Sequence, residues 1–128
     1  MALITYLAED NETIRKNLTE TLQELAAIEV SGFGATEAEA CEWLAAHAGQ
    51  WDLAIIDLFL QEGSGLGVLA KCRDRRDFQK VVVLTNYATP EVRKRSIALG
   101  ADAVFDKSSE LDALFAYCIE QTARQERS

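Results

Sequence analysis

The sequence predicts an α/β fold in which a parallel sheet of five strands is doubly wound by five helices. Three observations predict it. Five short apolar runs recur along the 128 residues, and the stretches between them carry apolar residues at helical spacing. Two of the runs, Leu53 to Ile56 and Val81 to Leu84, do not alternate with polar residues, as strands covered by crossover helices on both faces require. The order is therefore βαβαβαβαβα, with right-handed crossovers.

Each element has its own signal. The first strand is Ala2 to Ala8, and Ile14, Leu18, Leu22 and Leu25 after it repeat every three or four residues, marking one helix face. Ile28 to Phe33 is the second strand, and Ala38, Cys41, Leu44 and Ala45 mark the second helix. After the third strand, Gly63-Ser64-Gly65 leads into a helix marked by Leu66, Leu69 and Cys72. After the fourth, Thr89-Pro90-Glu91 places a cap residue before a first-turn proline, and Gly100 stops the helix it opens. Ala103 to Phe105 is the fifth strand. Ser108 or Ser109 is expected to cap the fifth helix, whose stripe is Leu111, Leu114, Phe115, Cys118 and Ile119. Residues 1–122 read as one domain and the polar stretch 123–128 as a C-terminal tail expected to fray. No repeat, low-complexity tract or linker interrupts them.

With 48% hydrophobic and 27% charged residues, the chain suits one globular domain, which at this size buries roughly 68% of its unfolded surface without needing disulfides or a structural metal. Its 21 acidic and 13 basic residues leave a net charge of −8, which a phosphate backbone or anionic membrane would repel, so neither nucleic acid nor membrane is an expected partner. Cys41, Cys72 and Cys118 are far apart, form no Cys-x-x-Cys pair and fall on apolar helix faces, so they read as buried hydrophobes. The N-terminus has no basic segment followed by a long apolar one, and no run is long enough to span a bilayer; the expected setting is reducing and cytoplasmic. His47 reads as a helix-end residue favoured by the dipole, and Trp43 and Trp51 as packing residues. The basic groups Arg73, Arg75, Arg76 with Lys80, and Arg93-Lys94-Arg95, read as solvated helix faces, with partner contact through Arg93 to Arg95 as a second reading.

In open α/β sheets ligands bind outside the carboxyl ends of the strands, near the point where strand order reverses. Here those ends turn polar: Glu9-Asp10 after strand one, Asp57 after strand three, Thr85-Asn86 after strand four and Asp106-Lys107 after strand five. If the order is 2-1-3-4-5, three carboxylates converge on one pocket. Two like charges about 4 Å apart repel by about 4 kcal/mol at an effective dielectric of about 20, so the cluster needs compensation. A hard divalent cation such as Mg²⁺ suits oxygen ligands without histidine or thiolate, and Lys107 adds a fixed positive charge. A carboxylate so flanked suits phosphoryl transfer to Asp57, with Lys107 neutralising phosphoryl oxygens and the Thr85 hydroxyl donating to one of them.

Glu9-Asp10, Asp57, Thr85 and Lys107, closing four separate strands, resemble the receiver domain of two-component response regulators, the CheY-like fold. The resemblance runs from about Leu3 to Ile119 and includes Gly65-Leu66 and Gly100-Ala101-Asp102. It implies the flavodoxin-like order 2-1-3-4-5. It implies that Asp57 accepts a phosphoryl group from a phosphohistidine on a partner histidine kinase or phosphotransfer protein. It places Mg²⁺ on Asp10, Asp57 and the backbone carbonyl of Phe59, with Glu9 acting through a metal-bound water. Thr85 and Lys107 would bind the phosphoryl oxygens, and movement of Thr85 would signal to an unknown downstream protein through the face of helix four, strand five and helix five. The resemblance thus implies a signalling protein that catalyses its own Mg²⁺-dependent phosphotransfer and dephosphorylation.

Three positions depart from the family pattern. Gln61 stands where many relatives have proline. Ser108 replaces the proline after the lysine, where the family's bond is typically cis; a cis bond before serine would cost about 3 kcal/mol. Val104 stands where the family's switch has an aromatic ring. Because the chain ends soon after the fifth helix, output is expected through protein contact, as a stand-alone regulator or a phosphorelay intermediate; a receiver fragment of a longer regulator is the alternative. A pseudo-receiver that works without phosphate is opposed by the intact Asp10, Asp57, Thr85 and Lys107. A flavin carrier is opposed by the acidic first loop, Glu9 to Thr13. An aspartyl phosphohydrolase would want a carboxylate where Phe59 stands.

Overall fold

The computed structural model describes residues 2–127, with side chains described for 2–124. Its elements alternate throughout: β1 (Leu3–Ala8), α1 (Glu12–Leu25), β2 (Ile28–Gly34), α2 (Glu37–Ala46), β3 (Leu53–Ile56), α3 (Gly65–Lys71), β4 (Lys80–Thr85), α4 (Pro90–Ala98), β5 (Ala103–Asp106) and α5 (Leu111–Arg127). The strands form one parallel sheet in the order β2-β1-β3-β4-β5. The reversal therefore falls between β1 and β3, which puts the ends of those strands side by side.

Alternate side chains of the central strands enter two cores. Tyr6, Ala8, Ala54, Ile56, Val81 and Val83 pack under α2 and α3, while Leu7, Leu53, Ile55, Val82 and Leu84 pack under α1 and α5. This two-sided burial is why β3 and β4 read as unbroken apolar runs. On the edge, the pairing of β1 with β2 shifts register between Thr5 and Tyr6. Just beyond it Gly32 lies under Trp43, where a Cβ would fall 2.4 Å from the indole nitrogen.

Asn11, Thr36, Ser64 and Thr89 cap the first four helices through their side chains. Glu39 returns a carboxylate oxygen to the Ala35 amide and the Thr36 hydroxyl beside the second cap. The expected serine cap of α5 is not what forms. Asp106 Oδ1 instead gathers the Ser108 amide at 2.8 Å, its hydroxyl at 2.6 Å and the Ser109 amide at 3.1 Å, and Glu110 directly precedes the helix. The carboxylate is the stronger local acceptor, so the serines complete its turn rather than the helix end. These bonds hold Asp106 below the usual carboxylate range, the Ser108 hydroxyl contributing most. No cis peptide occurs among the described residues, so Lys107–Ser108 is trans.

Cys72 and Cys118 are buried, Cys41 is half-buried, and all three are free thiols. Trp51 is buried, while Trp43 stacks between Tyr6 and His47, and His47 Nδ1 lies 2.8 Å from the Trp43 carbonyl at the end of α2. Arg73 and Arg76 are exposed, but Arg75 departs from the reading of its basic group as a solvated face. Its guanidinium bonds the carbonyls of Cys72, Gln79 and Gly100 and pairs with Asp102 at 2.8 Å. Residues 123–127, expected as a tail, continue α5, and Ser128 lies outside the described residues. Among the described residues, no helix is long and apolar enough to cross a membrane.

Candidate functional site

The ladder that builds the sheet also aims its terminal residues. One further rung joins the Asp57 amide to the Ala8 carbonyl at 2.9 Å, and another the Glu9 amide to Gly34 at 3.0 Å. Glu9 and Asp57 are thereby fixed where β1 and β3 end side by side. Asp10 follows at the exposed mouth. One ligand atom from each of Glu9, Asp10 and Asp57 lies within 4.8 Å of the others. The three carboxylates expected to converge do so.

Lys107 reaches this cluster from β5. Its Nζ donates to Asp57 Oδ2 at 2.8 Å and to Glu9 Oε1, and its side chain is only 10% exposed. Its own amide donates to the Thr85 carbonyl at 2.8 Å, so the lysine and the threonine are placed by one backbone bond. Thr85 is fully buried, and its Oγ1 accepts the Tyr87 amide at 3.2 Å, which leaves the hydroxyl proton available for another acceptor. Asp57 Oδ1 accepts the Phe59 amide at 3.1 Å.

Burial raises the Glu9 pKa above its ordinary value, although the Lys107 and Asn11 donors pull the other way. For Lys107 burial acts downward, yet the bonds to Asp57 and Glu9 outweigh it and the ammonium is held above the usual lysine value. The donors suit a hard divalent cation: clustered carboxylate oxygens, with no nitrogen or sulfur ligand in the group.

Two contacts near the site join residues remote in sequence, which residue type alone does not pair. The exposed rings of Phe59 and Tyr87 meet edge-on with centroids 4.9 Å apart beside Asp57. Arg93 makes the second. Lys94 and Arg95 are exposed, as the reading of that run as a solvated face expects, but Arg93 departs from it. Its Nε donates to the Ala88 carbonyl at 2.9 Å, its Nη1 to the Val104 carbonyl at 3.1 Å, and its Nη2 pairs with Glu110. It joins the β4–α4 loop to β5 and to the start of α5. The run of positive charge on α4 carries no signal of such a clamp, because two of its three acceptors, the Val104 carbonyl and the Glu110 carboxylate, lie 11 and 17 residues on.

The family model for the response regulator receiver domain matches residues 5–118. The acid tolerance regulatory protein ActR of Rhizobium meliloti strain 1021 is 37% identical over 68 residues, 53% of this chain and 35% of that protein. The photosynthetic apparatus regulatory protein RegA of Cereibacter sphaeroides is 27% identical over 104 residues, 81% of this chain and 54% of that protein. The chain thus spans about a third to a half of the length of these relatives. Among solved structures, a DNA-binding response regulator of the LuxR family from Staphylococcus aureus superposes with a TM-score of 0.81 at 18% identity, covering 94% of this chain and 98% of that one.

Proposed function

Since the chain belongs to the response regulator receiver domain family, we propose that Asp57 accepts a phosphoryl group from a phosphohistidine on a histidine kinase or phosphotransfer protein, and that the modified chain signals by protein contact. The observation that carries this reading is the single ammonium of Lys107 held against both Asp57 and Glu9 at the pole where three carboxylates meet. In the proposed reaction an Asp57 oxygen attacks phosphorus as the bond to the donor imidazole breaks, and that imidazole departs with the electron pair. Lys107 neutralises charge on the phosphoryl oxygens, and the Thr85 hydroxyl donates to one of them. Asp10, Asp57 and the Phe59 carbonyl would hold Mg²⁺, with Glu9 acting through water. Bound there, the ion would offset the carboxylate charge that otherwise repels an incoming phosphate.

A protein donor is supported by a groove of about 440 Å³ between α1 and α5, lined by Ile14, Leu18, Thr21, Leu111 and Phe115 and opening beside Lys107. The phosphoryl-accepting unit is taken as residues 1–122, with 123–128 as its C-terminal extension. Intact-mass measurement after mixing with Mg²⁺ and a small acyl phosphate tests the reading. One added phosphate is expected, and none on Asp57→Ala; undiminished labelling of that variant would sink the assignment.

A further inference from the structure

We propose that Glu37, on α2 and outside the carboxylate cluster, is a positioning residue that holds the loop after Asp57 in the shape that presents the Phe59 carbonyl to the metal; this rests on the metal reading above. The loop from Leu58 to Ser64 has Gln61 at its centre, so no proline ring restrains it. It is instead stitched to the segment before α2. The Gln61 amide donates to the Ala35 carbonyl at 2.9 Å, the Glu37 amide donates to the Glu62 carbonyl at 3.0 Å, and Thr36 and Glu62 form a parallel bridge. Glu37 closes this short ladder with its side chain, Oε1 accepting the Ser64 amide at 2.8 Å from 27 residues away.

Ser64 passes the restraint inward. It forms an antiparallel bridge with Phe59 across the loop, and the next amide, of Gly65, donates to the Leu58 carbonyl at 3.0 Å. The path from Glu37 to the Phe59 backbone is thus two contacts long. An acidic residue in the first turn of α2 needs no such reach to serve its own helix.

The space around Glu37 is an independent sign that its carboxylate belongs there. A Cβ on Gly67 would lie 2.4 Å from the Glu37 carboxyl carbon, and one on Gly63, whose φ is +78°, would lie 2.5 Å from the Glu37 Cβ. Two glycines leave the room that this side chain fills. A charge-assisted bond to a half-buried amide is the stronger kind, so its loss frees the loop rather than merely trimming it.

The test is a double-mutant cycle on the full chain, read by NMR titration with Mg²⁺ alone and by urea unfolding. Wild type is expected to bind Mg²⁺ saturably. Glu37→Ala is expected to weaken that binding about tenfold, the scale for loss of a group that orients a ligand, and to speed exchange of the Ser64 amide. Glu37→Gln keeps an acceptor oxygen and should recover most of the affinity. Gly67→Ala should weaken binding in wild type by displacing the carboxylate, yet have no further effect in Glu37→Ala. Unchanged affinity in Glu37→Ala, or an equal cost of Gly67→Ala in both backgrounds, overturns the positioning role while leaving the metal reading intact. A wild type with no saturable response defeats the metal reading and the role of Glu37 together.

Discussion

Glu9 and Asp10 are adjacent in sequence and opposite in surroundings. Glu9 is 1% exposed and spends its oxygens on the Lys107 ammonium and the Asn11 amide, whereas Asp10 is exposed at the mouth. An incoming cation therefore finds Asp10 more open than Glu9. Asp10→Ala is expected to weaken Mg²⁺ binding and labelling together, and by more than Glu9→Gln; the reverse ranking in a metal titration would refute the division of roles. The half-buried Lys107 lies between two buried carboxylates, so Lys107→Ala should destabilise the metal-free protein by about 3 kcal/mol, because it leaves uncompensated charge. Urea unfolding measures this, and a loss well under 1 kcal/mol would mean that solvent screens the group. Since the folded state holds the Lys107 pKa above its ordinary 10.5, its contribution is fully present below that value and lost only as pH climbs through the raised one.

At the scale of elements, polar contacts of α4 tie the end of β4 to β5 and to the start of α5. Val104 is buried in the core cluster against which Ala88, Val92 and Leu99 pack and has no ring to swing, while Phe105 packs against the opposite core. Arg93 spans the same interval by polar contacts, from Ala88 to Val104 to Glu110. A phosphoryl mimic at Asp57 is expected to shift NMR signals of Thr85 and Asn86 to Thr89 more than strand-five side chains, with Tyr87 moving through its contact with Phe59. Large changes at Val104 beside a silent Tyr87 would count against this. Arg93→Ala should leave the mimic bound but abolish the shifts in α4 and at Glu110; full transmission without the guanidinium would refute the clamp. The Glu110 carboxyl is held below its ordinary 4.5 chiefly by Arg93. A lowered carboxylate stabilises above its unfolded value and loses that contribution as pH falls through the folded one. Glu110→Gln should therefore flatten the acid limb of a stability profile below about pH 4.5 and leave its alkaline limb unchanged.

Across the whole molecule, an acidic chain of net charge −8 gathers three carboxylates at one pole, two of which pair with the half-buried Lys107. Without a cation Asp10 adds repulsion there. Asp10→Asn is expected to raise the melting temperature slightly in chelator and to remove the increase that Mg²⁺ gives wild type. For wild type that increase corresponds to about 2.7 kcal/mol when Mg²⁺ stands at about a hundred times its dissociation constant. Calorimetry with and without Mg²⁺ decides the matter, and an equal response of variant and wild type would exclude Asp10 from the binding set.

Some of this was settled by the sequence alone. Strands buried on both faces must be written as unbroken apolar runs, so β3 and β4 were legible residue by residue, and the polar positions closing β1, β3, β4 and β5 stood out because each breaks such a run at the strand's carboxyl end. The cap at Thr89 was legible for the same local reason: it bonds an amide three residues away. Only the tertiary structure decided what depends on partners remote along the chain. It set Glu9 and Asp57 side by side and brought Lys107 across 98 residues to Glu9. It turned Arg75 and Arg93 inward onto carbonyls, and it tied Glu37 to Ser64. A backbone carbonyl has the same chemistry at every residue, so no side-chain pattern marks which arginine will find one; packing of the folded chain makes that choice.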